Sequence, residues 1–312
     1  MDELGCEPEP ADRGMSGEIG KDVYWVDKGD SREPVFNLDE ALAADRIDFW
    51  YQPKIDLKKK RLMGVEAFAR LCAPDGHVIS AGELIKHASP DSIVQLTEKA
   101  LVSALMTSVN LCEIGVDVRL AVNVSMQALQ KIPIADLIRK YRPQGGKSLS
   151  LVFDISETEV VDYIDIIGEI SGQMRRCGFS VAVDDFGGSV LDALGRREVW
   201  DRSIERTFDA IGRLRNVEIS EMKLDRDLVR GCHADGRKRE ICEHIIKLTH
   251  SFGATAIGVG IEQQEELKTL QELDCDVGQG YLFGRPMSEE RFLMLLWDRG
   301  VRANAKKKPV AA

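Results

Sequence analysis

Acidic residues stand at the ends of several strand-like runs in this chain. Glu66 lies in GVEAFARL, Asp154 in LVFDISE, and Asp184 and Asp185 in VAVDDFGG; the amide Asn123 lies in LAVNVS and the amine Lys223 in EMKLD. Apolar, largely β-branched residues precede most of them, which is the pattern of buried strands. In a barrel of alternating strands and helices, side chains at strand C-termini converge on one face, and that face carries the chemistry. Four carboxylates and an amide gathered there, Glu66, Asp154, Asp184, Asp185 and Asn123, would repel one another without cations. Hard divalent cations relieve that repulsion and favour oxygen ligands of this kind.

Each residue taken singly also has a plainer reading. Glu66 suits a solvent-facing strand position, Asn123 a bulge beside a cap at Ser125, and Lys223 a surface lysine. Asp154 and Glu157 suit a helix start, with Ser156 as cap and Glu157 and Glu159 complementing the helix dipole. Gln279-Gly280-Tyr281 suits a turn. Asp184-Asp185 gives the strongest local signal, because turn chemistry before Phe186-Gly187-Gly188 accounts for one Asp but less readily for two. Arg70, four residues beyond Glu66, falls on the same strand face.

The elements that must position these groups alternate. DFWYQPKID and RLMGVEAFARL read as two strands whose short KKKR link makes them an antiparallel pair. Asn37 is a helix cap for LDEALAADR; SAGELIKHA and SIVQLTEKALVSALMTSVNLCEI follow as helices by apolar spacing. Strand–helix units then repeat to the end, and Gly178 stops the helix before FSVAVDDF. The fold expected is an α/β (β/α)8 barrel spanning 37–300. Residues 1–36 are polar and read as a flexible leader, with Tyr24 and Trp25 either packing as an arm or staying loose; 301–312 read as a frayed basic tail.

Composition narrows the classes of function. Of 312 residues, 44% are hydrophobic and 30% charged, which is ordinary for a soluble globular protein. The net charge of −10, with no basic stripe, argues against DNA or RNA as partner. The N-terminus lacks a signal-peptide core and no apolar run is long enough to span a membrane. Seven scattered cysteines, an odd count without a C-x-x-C pair, fit free thiols in a reducing cytoplasm. Cys232, His233, Cys242 and His244 form a second metal candidate, for zinc, but their spacing is not a standard one and the segment reads as an amphipathic helix.

YQPKIDL, GVEAFARL, VNVS, DISE, DDFG, KLD and QGYLFGRP occur in the order in which the EAL domain family carries them. From about Asn37 to Gly300 the chain resembles that family, whose members hydrolyse the bacterial messenger cyclic di-GMP. The resemblance implies a barrel whose first strand runs antiparallel to the others. It implies Mg²⁺ or Mn²⁺ held by Glu66, Asn123, Asp154, Asp184 and Asp185, with catalytic roles for Lys223, Asp185 and Gln279 around the attacking water. It places Gln52, Arg70, Tyr281 and Pro286 on the nucleotide, Arg70 at a phosphate, and gives Glu157 a role supporting the loop.

The chain departs from the family pattern in several places. Val259 stands where the family has the Glu that ligates the second metal, while Glu262 keeps the next one. Valine neither coordinates a metal nor accepts a proton. Asp154 replaces a Glu and Phe68 a Leu. After Asp185 the family's dimerisation-coupled loop is rewritten, with an inserted segment at about 189–207 and helical apolar spacing through Val199, Ile204, Phe208 and Ile211. That helix either packs on the barrel or offers a surface to a protein partner. Three readings follow: a cyclic di-GMP-binding regulator with weak or no phosphodiesterase activity and one metal ion or none; an active phosphodiesterase; and a scaffold that binds no nucleotide. The first is favoured, as a cytoplasmic homodimer.

Overall fold

The computed structural model describes residues 23–28, 31–72, 78–80, 82, 85–86, 88–141, 150–188 and 217–298, less a few single positions. Strands β1 (Val23–Lys28) and β2 (Ser31–Phe36) pair antiparallel as a hairpin. The sequence leaves this stretch open between a packed arm and a loose extension, and its hairpin pairing cannot be read from it. VYWV and the alternation around Pro34 carry enough strand propensity to pair once a turn links them. The side chain of Asn37 accepts from the Asp39 and Glu40 amides and starts α1 (Leu38–Ala43), as its position predicts.

A barrel follows. β3 (Ile47–Asp56) and β4 (Arg61–Cys72) form the expected antiparallel pair, with β5 (Val78–Ser80) added to the free edge of β4. The long helix α2 (Pro90–Glu113) leads to β6 (Arg119–Asn123). Then come α3 (Met126–Lys131), capped by Ser125, α4 (Ile134–Tyr141), and β7 (Leu151–Ser156). Ser156 caps α5 (Glu157–Asp162), and α6 (Ile164–Arg176) ends at Gly178, whose φ of 89° suits glycine. β8 (Phe179–Phe186), β9 (Ile219–Leu224), α7 (Arg226–Val229), α8 (Gly236–Ser251), β10 (Thr255–Val259), α9 (Gln264–Glu272), β11 (Val277–Gln279), β12 (Met287–Ser288) and α10 (Glu289–Asp298) complete the described chain.

The strands close in the order β3-β4-β6-β7-β8-β9-β10-β11 and back to β3. β3 runs antiparallel to both neighbours and every other neighbouring pair is parallel, so the first barrel strand is reversed, as expected. Alternate residues on each strand divide two environments. Val122, Phe153 and Val183 join the main core between strands and helices, whereas Ala121, Val152 and Ala182 form a small separate cluster. The residues two positions further along the same strand faces are Asn123, Asp154 and Asp184. Register therefore carries those polar side chains to one end of the barrel interior.

Among the described residues no helix is long and apolar enough to cross a membrane. Cys72, Cys232, Cys242 and Cys275 are in no disulfide. The zinc candidate is not assembled: His244 turns its Nδ1 to the Glu240 carbonyl of its own helix, 2.7 Å away. The inserted segment at 189–207, its helix through Phe208 and Ile211, and the basic tail lie outside the described residues, as do Ala81, Glu83, Leu84 and His87 of SAGELIKHA.

Candidate active site

Lys223, at the end of β9, is the centre of the site. Its ammonium is 2.9 Å from Glu66 Oε2, 2.9 Å from Asp154 Oδ2 and 2.7 Å from Asp184 Oδ2. Neither the solvent-facing reading of Glu66 nor the surface reading of Lys223 survives, since both side chains are 2% exposed. Parallel register explains the convergence. Asn123 of β6 pairs with Asp154 of β7, and Ser156 of β7 with Asp184 of β8, so successive strands bring successive ligand-type residues to the same end.

Amides tie the acids together. Asn123 Nδ2 donates to Glu66 Oε1 at 3.0 Å, and Gln279 Nε2 donates to Glu66 Oε2 at 2.9 Å and to Gln52 Oε1 at 3.1 Å. Gln52 Nε2 in turn donates to the Gly284 carbonyl at 2.9 Å, linking the site to the loop that carries Tyr281 and Pro286. Glu157 accepts from the Gly187 amide at 3.3 Å and so holds the turn that follows the two aspartates. Asp185 bends that strand end with a φ of 53°, a left-handed conformation Asp tolerates better than most residues. The backbone turn separates its side chain from that of Asp184.

Burial raises the Asp154 carboxyl, against the pull of Lys223 and Lys54. Burial would likewise raise Glu66, but Lys223 and Lys54 outweigh it and hold Glu66 low and ionised. Asp185 is pushed up to about 6 by burial and by Asp184. For Lys223 burial opposes the charged form, yet Asp154, Asp184 and Glu66 together keep its pKa well above the usual lysine value.

These groups border a cavity of about 610 Å³, which also takes in Arg70, Asp225, Val259, Tyr281 and Pro286. Arg70 lies 5.8 Å from the Trp50 ring and 5.6 Å from the Phe68 ring, and donates to the Ala69 carbonyl at 2.9 Å. Its flat guanidinium is thereby braced between two aromatic side chains. Arg285 stacks over Tyr281 at 4.3 Å. Every residue the sequence points to borders this cavity except Asp154, which bonds Lys223, and Glu157, which holds the Gly187 amide.

Arg226 and Lys54 were missed by the sequence reading. Arg226 borders the cavity and packs against Gly260, where a Cβ would lie 2.4 Å from Arg226 Cγ. Its signal was its place directly after Lys223-Leu224-Asp225. Lys54 lies in the barrel floor, two residues from Gln52 on the same strand face.

Three oxygens from Glu66, Asp154 and Asp184 lie within 4.8 Å of one another, the only such metal-capable cluster among the described residues. Asp154 Oδ1 is buried with no hydrogen-bond partner, so the cluster keeps a free acceptor. Hard oxygen donors with a spare acceptor fit one divalent cation. Val259, at the end of β10 beside Gln279, adds an apolar wall to the cavity.

A family model described as the EAL domain matches residues 36–194 and 203–286. The chain is 27% identical over 249 residues to the cyclic di-GMP phosphodiesterase RocR of Pseudomonas aeruginosa, covering 79% of this chain and 59% of RocR. It spans 30 to 59% of the length of the first curated relatives it matches. Among solved structures it superposes on the PaMucR phosphodiesterase in complex with c-di-GMP with a TM-score of 0.66 and 23% identity, covering 82% of this chain and 97% of that one. A manganese/cy-diGMP complex of Klebsiella pneumoniae BlrP1 gives a TM-score of 0.60 at 26% identity, covering 78% and 56%.

Proposed function

The chain belongs to the EAL domain family, and from that premise we propose that it binds cyclic di-GMP as a regulatory protein with weak or no phosphodiesterase activity. The observation that carries this reading is Val259, whose apolar side chain borders the cavity where the family pattern has a metal-ligating Glu. Arg70, held by its two aromatic neighbours, supplies a cation for a nucleotide phosphate, and charge-assisted bonds of this type are the strong ones. Gln279 fixes the Glu66 side chain, with Gln52 accepting its other hydrogen bond. Tyr281, half-exposed beside Arg285, and Pro286 offer a rim on which a guanine base can stack.

Glu66, Asn123, Asp154 and Asp184 are the residues that would hold one Mg²⁺ or Mn²⁺ ion, with Asp185 beside them. Bound there, such a cation supplies charge neutralisation and Lewis acidity at a phosphate. Lys223 already places one positive charge among the same acids and keeps them gathered. Asp185, its carboxyl raised towards neutrality by burial and Asp184, is the group suited to take a proton from a water at the phosphate. With valine at position 259, a second charge that would help form hydroxide from that water lacks the Glu the family pattern has there. The proposal includes a homodimer and a protein partner for the inserted segment, both of which size measurements and pull-downs test directly.

Active hydrolysis to linear pGpG is the second reading. It is favoured by relatives named as phosphodiesterases and by the intact three-carboxylate cluster. Chromatography of an overnight reaction with Mg²⁺ or Mn²⁺ separates the two. Unchanged nucleotide alongside calorimetric binding supports the regulator, and rapid metal-dependent turnover refutes it.

A further inference from the structure

Beneath the candidate site the barrel interior holds a second set of charges. Lys54 Nζ is 3.0 Å from Glu221 Oε2, with side chains 2% and 0% exposed. Arg119 reaches the other oxygen, Glu221 Oε1, at 3.2 Å. Barrel interiors are ordinarily filled by bulky branched apolar residues. Here the layer below the site includes Gly64, Ala121 and Ala182, and Gly64 approaches the Arg119 backbone so closely that a Cβ would lie 2.7 Å from its carbonyl oxygen. Small residues on these strands leave the room that a lysine and a glutamate occupy.

The charge balance of the two layers is uneven. In the upper layer Glu66, Asp154 and Asp184 share the single ammonium of Lys223. In the lower layer the single carboxylate of Glu221 has two cations, Lys54 and Arg119. The lower layer thus has one positive charge in excess and the upper layer is short of positive charge. Lys54 is the buried member of that excess, whereas Arg119 is 45% exposed and screened by solvent. Within a low-dielectric interior a buried unit charge acts on the neighbouring layer far more strongly than it would in water. Lys54 accordingly helps to hold Glu66 ionised.

We propose that Lys54 is a positioning residue: an internal counter-cation that holds the Glu66–Asp154–Asp184 cluster together when no divalent cation is bound, and that weakens the binding of such a cation. The inference rests on reading those three acids as a divalent-cation site. It gives the loss of a carboxylate at Val259 a counterpart, because positive charge built into the chain substitutes for charge brought by metal.

The test is Mn²⁺ affinity of the nucleotide-free full chain, followed by the electron paramagnetic resonance signal of unbound Mn²⁺, in Lys54→Met, Lys54→Arg and Glu221→Gln. Lys54→Met leaves Glu221 its Arg119 partner and removes the excess charge, so Mn²⁺ should bind tighter by on the order of tenfold. Glu221→Gln frees Lys54 from its carboxylate and should weaken Mn²⁺, and Lys54→Arg should behave as wild type. Packing damage would move Lys54→Met and Glu221→Gln in the same direction; the proposal requires opposite directions. It is overturned if the two shifts share a sign, if both stay within about twofold with circular dichroism unchanged, or if Lys54→Met binds no Mn²⁺ at millimolar concentration. No nucleotide is present, so failure here is distinct from failure of cyclic di-GMP binding.

Discussion

Replacing Lys223 by Met removes the only ammonium among the described residues within hydrogen-bond reach of Glu66, Asp154 and Asp184. Three charge-assisted hydrogen bonds at about 1.5–3 kcal/mol each would sum to roughly 4.5–9 kcal/mol if they added. They do not add, because acids left close together take up protons instead of bearing the whole repulsion. The expected loss of unfolding free energy at pH 7.5 is therefore about 3–5 kcal/mol, the range for breaking a buried ion pair from one side. Since protonation relieves the variant, the loss should shrink on acidification to pH 5.5, and millimolar Mn²⁺ should restore part of it by occupying the acids. Urea unfolding followed by circular dichroism, at both pH values and with and without Mn²⁺, gives all of these figures. A loss below about 1 kcal/mol at pH 7.5, or one that grows towards pH 5.5, would refute the picture of three acids clasping one lysine.

Arg70→Ala should weaken cyclic di-GMP binding by about 1.5–3 kcal/mol in titration calorimetry with little change in melting temperature; unchanged affinity would remove Arg70 from the phosphate. Val259→Glu should strengthen Mn²⁺ binding or raise hydrolysis, and Asp154→Glu added to it should couple non-additively because both residues face one cluster; a double variant as inert as the parent moves the cause to the segment after Asp185. The Asp185 carboxyl, pushed up to about 6, binds its proton more tightly folded than unfolded. Its stabilising contribution is therefore complete below the unfolded value near 3.8 and is lost as pH rises through about 6. Asp185→Asn, which also suits a left-handed backbone, should flatten the dependence of metal-free melting temperature on pH between about 5 and 7, and an unaltered slope would count against that protonation.

The barrel was legible because its signals are local and periodic. The short link between β3 and β4 forces antiparallel pairing, and the apolar runs before Asp154 and Asp184 carry the period of buried strands. The convergence of Glu66, Asp154, Asp184 and Lys223 followed once each was placed at a strand end. The hairpin before Asn37 was hidden because charge and glycine dominate the composition there and pairing depends on a turn. Lys54 and Glu221 were hidden for another reason. Each reads as an exposed charge in a strand, and only barrel closure, a non-local event, turns their faces inward to meet. Period-2 spacing from Gln52 and Lys223 was the signal that could have found them.

The central claim is that this chain retains cyclic di-GMP binding while Val259 removes efficient hydrolysis. Titration calorimetry of the wild-type chain with cyclic di-GMP, with and without Mn²⁺, with the cell contents then resolved by chromatography, addresses both halves at once. The account predicts saturable binding and recovery of intact cyclic dinucleotide. Linear pGpG formed at low protein concentration, or no heat of binding at millimolar nucleotide with the fold intact, would contradict it.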